Sequence, residues 1–329
     1  MDLPARFRDE LDRGDFLPRG ARVLVAVSGG GDSVALLRLL AAAAPERAWS
    51  LSVVSIDHRT RPETADEVRF VAELAAGLRL PFRAVALAED GAGRSEDALR
   101  RDRLRALVEA ARDAGAAWIA TGHQADDAAE TMLMRLLRGT GLDGLGGIRP
   151  RHGPLVRPLL AFRRAELRDW LRGDGVRWID DPSNDDVRRL RARVRHVLLP
   201  ALRAAAPDLP DDLAGTAAEL RGLLVPLDAW DAAWLERHAR ALPQGPGLAL
   251  PVAALRVEPE VVQGRLVRRA VERLGVSRSR LGRACVAGVV EAASRDGSAA
   301  AVPLPGGWVA HRRGAWLGIR PAAGGPASA

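Results

Sequence analysis

The 329-residue sequence contains no lysine, no tyrosine and a single cysteine, Cys285. One cysteine cannot close an intramolecular disulfide, and it cannot build a zinc cluster or a two-cysteine redox centre. No apolar run approaches the roughly 20 residues that a membrane-spanning helix needs; stretches such as Ala35 to Ala44 are far shorter. The first residues, Met1 to Arg8, are charged and carry neither an apolar core nor a cleavage motif, so no signal peptide is expected. These absences point to a soluble cytoplasmic protein without a membrane partner.

What is present suits a globular chain. Apolar residues make up 47%, enough for a real core, and the length fits two domains of ordinary size. The net charge is +7, and all 49 basic residues are arginine. A basic chain attracts polyanions, nucleic acid first. GC-rich codon usage produces the same arginine excess, so the positions of the arginines carry more information than their number.

The first half alternates between two periodicities. Arg22 to Val27, Leu51 to Ile56, Phe82 to Leu87 and Ala116 to Ala120 read as strands. Ser33 to Ala44, Pro62 to Leu78, Ser95 to Arg112 and Ala125 to Leu137 read as helices, with Pro62 in a first turn and Ser95 as a cap. Strand and helix in strict turn predict an α/β fold, a doubly wound parallel sheet covered on both faces. In such folds ligands lie beyond the carboxyl ends of the strands. A Gly-rich loop (Arg138 to Gly147), a short helix (Arg163 to Leu171), a polar turn (Asp180 to Asp186) and an arginine-rich helix (Val187 to Leu202) follow. Pro200, Pro207 and Pro210 suggest a boundary, with a catalytic domain over 1–205. A mainly helical domain is expected over 206–320, from Asp211 to Arg240 and Glu258 to Ser294. It ends in a β-hairpin around Pro305-Gly306-Gly307. Residues 321–329 read as a disordered tail.

The first strand runs into Ser28-Gly29-Gly30-Gly31-Asp32-Ser33, and a helix follows. Three glycines let the backbone approach an anion, and a helix N-terminus offers N–H groups and a favourable dipole. The loop lacks the Gly-Lys-Ser/Thr of a Walker A motif and the glycine spacing of a dinucleotide fingerprint. Asp32 is informative, because a carboxylate beside phosphates needs a cation between them, and Mg²⁺ on one or two carboxylates plus phosphate oxygens meets that need. A plain strand-to-helix turn capped by Asp32 is the bland alternative. Ser-Gly-Gly-x-Asp-Ser resembles the signature of the PP-loop ATP pyrophosphatases, which cleave ATP between the α and β phosphates and adenylate a substrate. Relatives that transfer sulfur use cysteines, and the first half has none; no glutaminase domain is visible either. The nucleophile is therefore expected to be a free amine.

A second block, Thr121-Gly122-His123-Gln124-Ala125-Asp126-Asp127-Ala128-Ala129-Glu130-Thr131, opens the fourth helix. Asp126, Asp127 and Glu130 share one side of its first turns. The helix dipole alone would favour carboxylates there. Three together at the sheet's carboxyl edge suit Mg²⁺ or a cationic amine.

At this point the chain resembles the tRNA(Ile)-lysidine synthetases. The resemblance rests on ordered blocks over about the first 200 residues. They are Ser28 to Ser33; Ile56-Asp57-His58 with Arg61-Pro62-Glu63; Glu96 with Arg100 and Arg103; Gly122 to Thr131; Arg138 to Leu145; Val156-Arg157-Pro158-Leu159-Leu160; Asp181-Pro182-Ser183-Asn184; and Arg191 to His196 with Leu198-Leu199-Pro200. It implies an enzyme that uses ATP to adenylate C2 of the wobble cytidine in the CAU-anticodon isoleucine tRNA. The ε-amino group of free lysine then displaces AMP.

The resemblance also implies roles. Asp32 would hold Mg²⁺; Ser28, Gly29, Gly30, Gly31, Ser33, Asp57, His58 and Gly122 would bind ATP. Asp126, Asp127 and Glu130 would anchor the lysine amines or assist the metal. His123 either orients the cytidine or satisfies backbone groups. Arg100, Arg103, Arg138, Arg191, Arg193 and Arg195, with Arg188 and Arg189 beside them, would face tRNA phosphates, which arginine binds in bidentate fashion. Leu104 stands where the family has an aromatic, and Ala192 where it has Asn. Trp230, Trp234, Trp308, Trp316 and Cys285 read as core or hairpin residues. The oligomeric state stays open, a homodimer included. Two rivals remain: another ATP-dependent RNA-modifying PP-loop enzyme, and an RNA-binding module with a vestigial nucleotide site.

Overall fold

A computed structural model describes residues 2–14, 16–57, 64–87, 96–180, 190–243, 245–276, 281–295 and 301–322. His58, Arg61 to Glu63, Ser95, Asp181 to Asn184, Arg188, Arg189 and the tail from Ala323 lie outside the described residues. The chain divides into two compact units, Met1–Gly222 and Leu223–Ala329. The division falls inside the helix Leu209–His238 rather than at the prolines, because that helix runs on through Pro210 and beyond it.

The first unit contains α1 (Leu3–Gly14), β1 (Arg22–Ala26), α2 (Gly31–Arg47), β2 (Ser50–Asp57), α3 (Thr64–Gly77), β3 (Phe82–Ala86), α4 (Glu96–Asp113), β4 (Trp118–Thr121) and α5 (Ala125–Leu137). There follow α6 (Leu142–Leu145), β5 (Arg151–His152), β6 (Leu155–Val156), α7 (Arg164–Gly173), α8 (Leu190–Arg193), a π-helical turn (Val194–Leu198) and α9 (Leu199–Ala205). The sheet order is β3-β2-β1-β4-β6-β5, parallel except for β5 at the edge. Val23, Leu24 and Val25 are all buried, so β1 is covered on both faces, as a central parallel strand must be. Val23 and Val25 join a core with α2 residues such as Leu36 and Leu40; Leu24 joins Leu107 and Ala111 of α4.

The chain winds from β1 out to β3, then returns to the other side of β1 as β4. The crevice at the carboxyl ends of β1 and β4 is therefore the topological switch point. Helix α1 was not anticipated from the charged N-terminus. Phe7 and Leu11, one turn apart, bury a narrow apolar stripe, and the Phe7 ring lies 5.9 Å from that of Phe162. The arginine-rich helix is also interrupted: the wider π turn follows Arg193 directly, a feature that often marks functional segments.

The second unit comprises the end of α10 (Leu209–His238), then β7 (Arg240–Ala241), β8 (Leu248–Pro251), α11 (Val252–Arg256), α12 (Glu260–Arg273) and α13 (Arg283–Ser294). It closes with β9 (Val302–Leu304), β10 (Trp308–Arg313) and β11 (Trp316–Pro321). The expected hairpin is present, with Gly306 and Gly307 both at φ 77° in its turn. It belongs to a larger antiparallel sheet of order β7-β8-β11-β10-β9. Strand β8 escaped the sequence reading because Leu248 to Pro251 is too short to show alternation. Trp234 is buried in this unit's core, and Trp308 and Cys285 pack against it. Trp230, expected in the core or the hairpin, is exposed on α10, and Trp316 is an exposed hairpin residue. Among the described residues no helix is long and apolar enough to cross a membrane.

Asp231 is 1% exposed and sits between Arg265 Nε at 2.7 Å and Arg269 Nε at 3.2 Å. Removing one partner of such a buried pair leaves uncompensated charge. Asp231→Ala should therefore destabilise this unit by about 3–5 kcal/mol, read as a lowered denaturant midpoint by circular dichroism.

Candidate active site

The glycine-rich loop lies at the switch point. Gly30 is the N-cap residue of α2 and no side chain caps the helix, so Asp32 is not the cap but a first-turn residue with its carboxylate free for other work. Gly29 has φ +87°, a conformation that favours glycine. The Ser33 hydroxyl donates to Gly30 O at 2.8 Å and accepts from the Ser28 amide at 3.2 Å. The Ser28 and Ser33 hydroxyl oxygens are 3.3 Å apart. The two hydroxyls thus hold the loop's shape at the positive end of α2.

The β4–α5 loop packs directly against it. A Cβ on Gly122 would lie 3.1 Å from the backbone carbon and oxygen of Asp32 and from Ser33 Cα. Glycine lets the two backbones meet without the crowding that a Cβ would bring. Gln124 then joins them. Its Oε1 accepts from the Asp126 and Asp127 amides, capping α5, and its Nε2 donates to Asp32 Oδ2 at 3.4 Å. Asp127 completes the cap by accepting from the Gln124 amide at 3.2 Å.

Four carboxylates converge here, and five arginines meet them. Glu130, fully buried, takes Arg195 Nε at 2.7 Å, Arg191 Nε at 3.1 Å and Arg164 Nη2 at 3.5 Å. Asp127 Oδ1 takes Arg191 Nη2 at 3.0 Å, Arg164 Nη2 at 3.3 Å and Arg195 Nη2 at 3.4 Å. Asp126 takes Arg203 Nη2 at 2.7 Å, Arg163 Nη2 at 3.4 Å and the Arg164 amide at 2.9 Å. Asp32 Oδ2 takes Arg164 Nε at 3.4 Å.

Electrostatics separates these groups. Burial pushes the Asp32 carboxyl up, with Asp127 adding to it and Arg164 and Gln124 opposing. Burial acts the same way on Asp126, but the Arg164 amide and the charges of Arg163, Arg164 and Arg203 outweigh it and hold the group below the usual carboxylate range. Burial pushes His123 down to about 4; Asp127 opposes this, and Arg157, Arg191 and Arg100 add to it. His123 is thus a neutral imidazole at neutral pH, with Nδ1 2.9 Å from the Thr121 hydroxyl.

Asp32 Oδ1 is buried and has no hydrogen-bond partner, so the residues fit a cation at this oxygen. No group of three or more His, Cys, Asp or Glu able to hold a metal occurs among the described residues. Mg²⁺ does not need one, since it keeps waters and takes one or two carboxylates with phosphate oxygens.

The structure brings together Ser28 to Ser33, Gly122, His123, Asp126, Asp127 and Glu130. Asp57 ends β2, on the same sheet edge. The arginine stretch divides: Arg191 and Arg195 turn inward to the carboxylates, whereas Arg193 is exposed. Two of the arginines expected to meet tRNA phosphates, Arg191 and Arg195, are thus paired with the carboxylates of Asp127 and Glu130. Arg100, on α4, and Arg138, at the end of α5, are exposed. Burial and then the charge of Arg100 push Arg157 down to about 10. Arg103 lies almost one turn further along. Ala192 is buried.

Sequence reasoning missed Gln124, Arg163, Arg164 and Arg203. One signal was available. Two arginines at a helix N-terminus oppose the dipole, so Arg163-Arg164 at the start of α7 needed an anionic partner.

A parallel sheet with this glycine-rich loop and aspartate at its switch point defines a PP-loop protein, and the family model of the PP-loop domain matches residues 7–202. The tRNA(Ile)-lysidine synthase of Leifsonia xyli subsp. xyli is 36% identical, with 83% of each chain covered. That of Thermus thermophilus is 38% identical over 98% of this chain and 60% of its own. That of Ruegeria pomeroyi is 45% identical over 54% of this chain and 43% of its own. The chain belongs to the tRNA(Ile)-lysidine synthase family. It spans about half the length of several curated relatives, 43% and 56% for two of them. Among solved structures, the U34-tRNA thiolase NcsA from Methanococcus maripaludis, with its [4Fe-4S] cluster, shares the fold. It has a TM-score of 0.56 and 18% identity, covering 66% of this chain and 77% of its own.

Two outcomes are expected. Gly122→Ala crowds the backbone of Asp32 and Ser33 by a few tenths of an ångström and should weaken ATP-analogue binding about threefold or more, since small displacements are costly at a positioned site; equilibrium binding with a fluorescent analogue measures it. His123 has a folded pKa below its unfolded value of 6.5. The unfolded chain therefore binds the extra proton between about pH 4 and 6.5, so stability falls as pH drops through that window. His123→Gln should flatten this dependence in denaturation midpoints taken from pH 4 to 7.

Proposed function

We propose that the protein forms lysidine: it adenylates C2 of the wobble cytidine in the CAU-anticodon isoleucine tRNA with ATP and Mg²⁺, then exchanges AMP for the ε-amino group of free lysine. The cytoplasm, which holds all three substrates, is where it acts. The observation that carries this reading is the meeting of Asp32, on the glycine-rich loop, with Asp126, Asp127 and Glu130 across the Gly122 contact. One crevice thus offers an anion cradle and a carboxylate set for cations, and no cysteine lies in this unit.

The roles follow from position. The loop from Ser28 to Ser33 at the end of α2 receives the phosphates, and Asp32 Oδ1 is the atom that would hold Mg²⁺. When bound, that ion would supply positive charge to neutralise the pyrophosphate leaving group. The cytidine O2 attacks the α phosphate and pyrophosphate leaves. Asp127 and Glu130 bind the lysine ammonium and take a proton from it, so that the freed lone pair attacks C2. The bond from C2 to O2 then breaks and AMP departs with that oxygen. Neutral His123 accepts or donates a hydrogen bond near the base without adding charge. Arg100, Arg103, Arg138 and Arg193 meet RNA phosphates, and Arg191 and Arg195 support the carboxylates.

The test supplies ATP, Mg²⁺, labelled lysine and a CAU isoleucine transcript. Label in the RNA is expected, and its absence refutes the lysidine reading. Label from another amine would instead favour a related RNA-modifying enzyme, and no RNA-dependent turnover of ATP would favour a pure RNA binder. Asp32→Ala should lower turnover by about a hundredfold or more, the scale of losing electrostatic stabilisation of developing charge, while tRNA binding persists in a gel-shift assay.

A further inference from the structure

Three guanidiniums, Arg164, Arg191 and Arg195, face three carboxylates, Asp32, Asp127 and Glu130. The set is electrically balanced from within. A cation that enters must displace a guanidinium, since adding a charge to a neutral, largely buried cluster is unfavourable.

The distances decide which one. Arg195 holds Glu130 at 2.7 and 2.9 Å, and Arg191 holds Asp127 and Glu130 at 3.0 and 3.1 Å. Arg164 reaches Asp32, Asp127 and Glu130 at 3.4, 3.3 and 3.5 Å, each longer than an ordinary charge-assisted bond. Its side chain is the most weakly held of the three. It alone spans both sides of the crevice: Nε faces Asp32 on the glycine-rich loop, and Nη2 faces Asp127 and Glu130 on α5. Its backbone is fixed independently, because the Arg164 amide donates to Asp126 and α7 continues into the core through Leu167 and Leu171. The guanidinium can therefore leave while the helix stays. Burial would lower its pKa, but the charges of Asp127, Asp32, Glu130 and Asp126 outweigh that, so it remains a full cation in place.

We infer that Arg164 is a shared counter-ion that both cationic ligands of the site must displace, so that binding of one favours the other. Mg²⁺ at Asp32 draws the carboxylate off Nε and loosens the guanidinium on the α5 side. An ammonium at Asp127 and Glu130 loosens it on the loop side. One displacement exposes both sets, and the coupling is reciprocal by linkage. Arg164 is a positioning residue here; it performs no bond making. The inference rests on the proposed reading, in which the site takes Mg²⁺ and an amine.

Calorimetric titration of the whole chain with Mg²⁺ alone, with L-lysine alone, and with L-lysine at saturating Mg²⁺ tests it. In the unaltered protein Mg²⁺ should strengthen lysine binding about fivefold or more. In Arg164→Gln each cation alone should bind about tenfold tighter, because the carboxylates lose a competing charge. The coupling should reverse, because two cations now simply repel. Unchanged or weaker single-cation binding, or coupling of the same sign in the variant, overturns the inference. If Arg164→Gln does not fold, Arg164→Lys keeps the charge on one ammonium that cannot span both sets, and the coupling should vanish; retained coupling overturns it. If lysine binds neither protein, the lysidine reading fails, and the Mg²⁺ titration by itself still decides whether Arg164 competes at Asp32.

Discussion

A carboxylate with no exposed surface has to be neutralised, and much of the first unit follows from Glu130. Left alone in a low-dielectric interior, its charge would be untenable. It lies on α5 beside Asp127, and neither α5 nor the strands supply a cation. The guanidiniums arrive from α7 and from the segment Leu190–Leu198. Both segments come after the parallel sheet in the sequence and must lie over its carboxyl edge. Arg163 and Arg203 do the same for Asp126. The arginines that close this part of the fold are thus also the ones that surround the four carboxylates.

A second constraint sets the distance across the crevice. Strand order places β1 and β4 side by side with their following loops at the same edge. Gly122 lets those loops touch, and Gln124 spans from the α5 cap to Asp32. Without a side chain at 122, the glycine-rich loop and the acidic start of α5 sit within hydrogen-bond reach. The neutral state of His123 belongs to the same geometry, since burial, with the charges of Arg157, Arg191 and Arg100, outweighs Asp127.

The shared fold with a thiolase that carries an iron–sulfur cluster shows how little the architecture alone says about chemistry. In this chain the first unit has no cysteine, and Cys285 lies in the second unit against its core. What distinguishes the site is the ring of arginine and carboxylate side chains around the same sheet edge.

The parallel α/β unit was legible because its strands are continuous apolar runs and its helices show the other periodicity; α5 was read to the residue. The glycine-rich loop and the Gly122 to Glu130 block carry short-range chemistry that needs no folding to recognise. The five-stranded sheet of the second unit was only partly legible, since β7 and β8 are short, and β8 pairs with β11, far along the chain. The direction in which Arg191 and Arg195 point was not legible at all. In the sequence they belong to a basic stretch that any polyanion would suit. Only the packing of that segment against α5 shows that a buried glutamate takes them first. Arg164 is the same case: local sequence makes it an awkward start to a helix, and three carboxylates from two distant segments give it a place. The sequence by itself determined the alternating strands and helices of the parallel sheet, the glycine-rich loop and the acidic helix start, because these depend on local pattern. Which charges face one another was decided by the tertiary structure, because a charge pair depends on distance in space and not on separation along the chain.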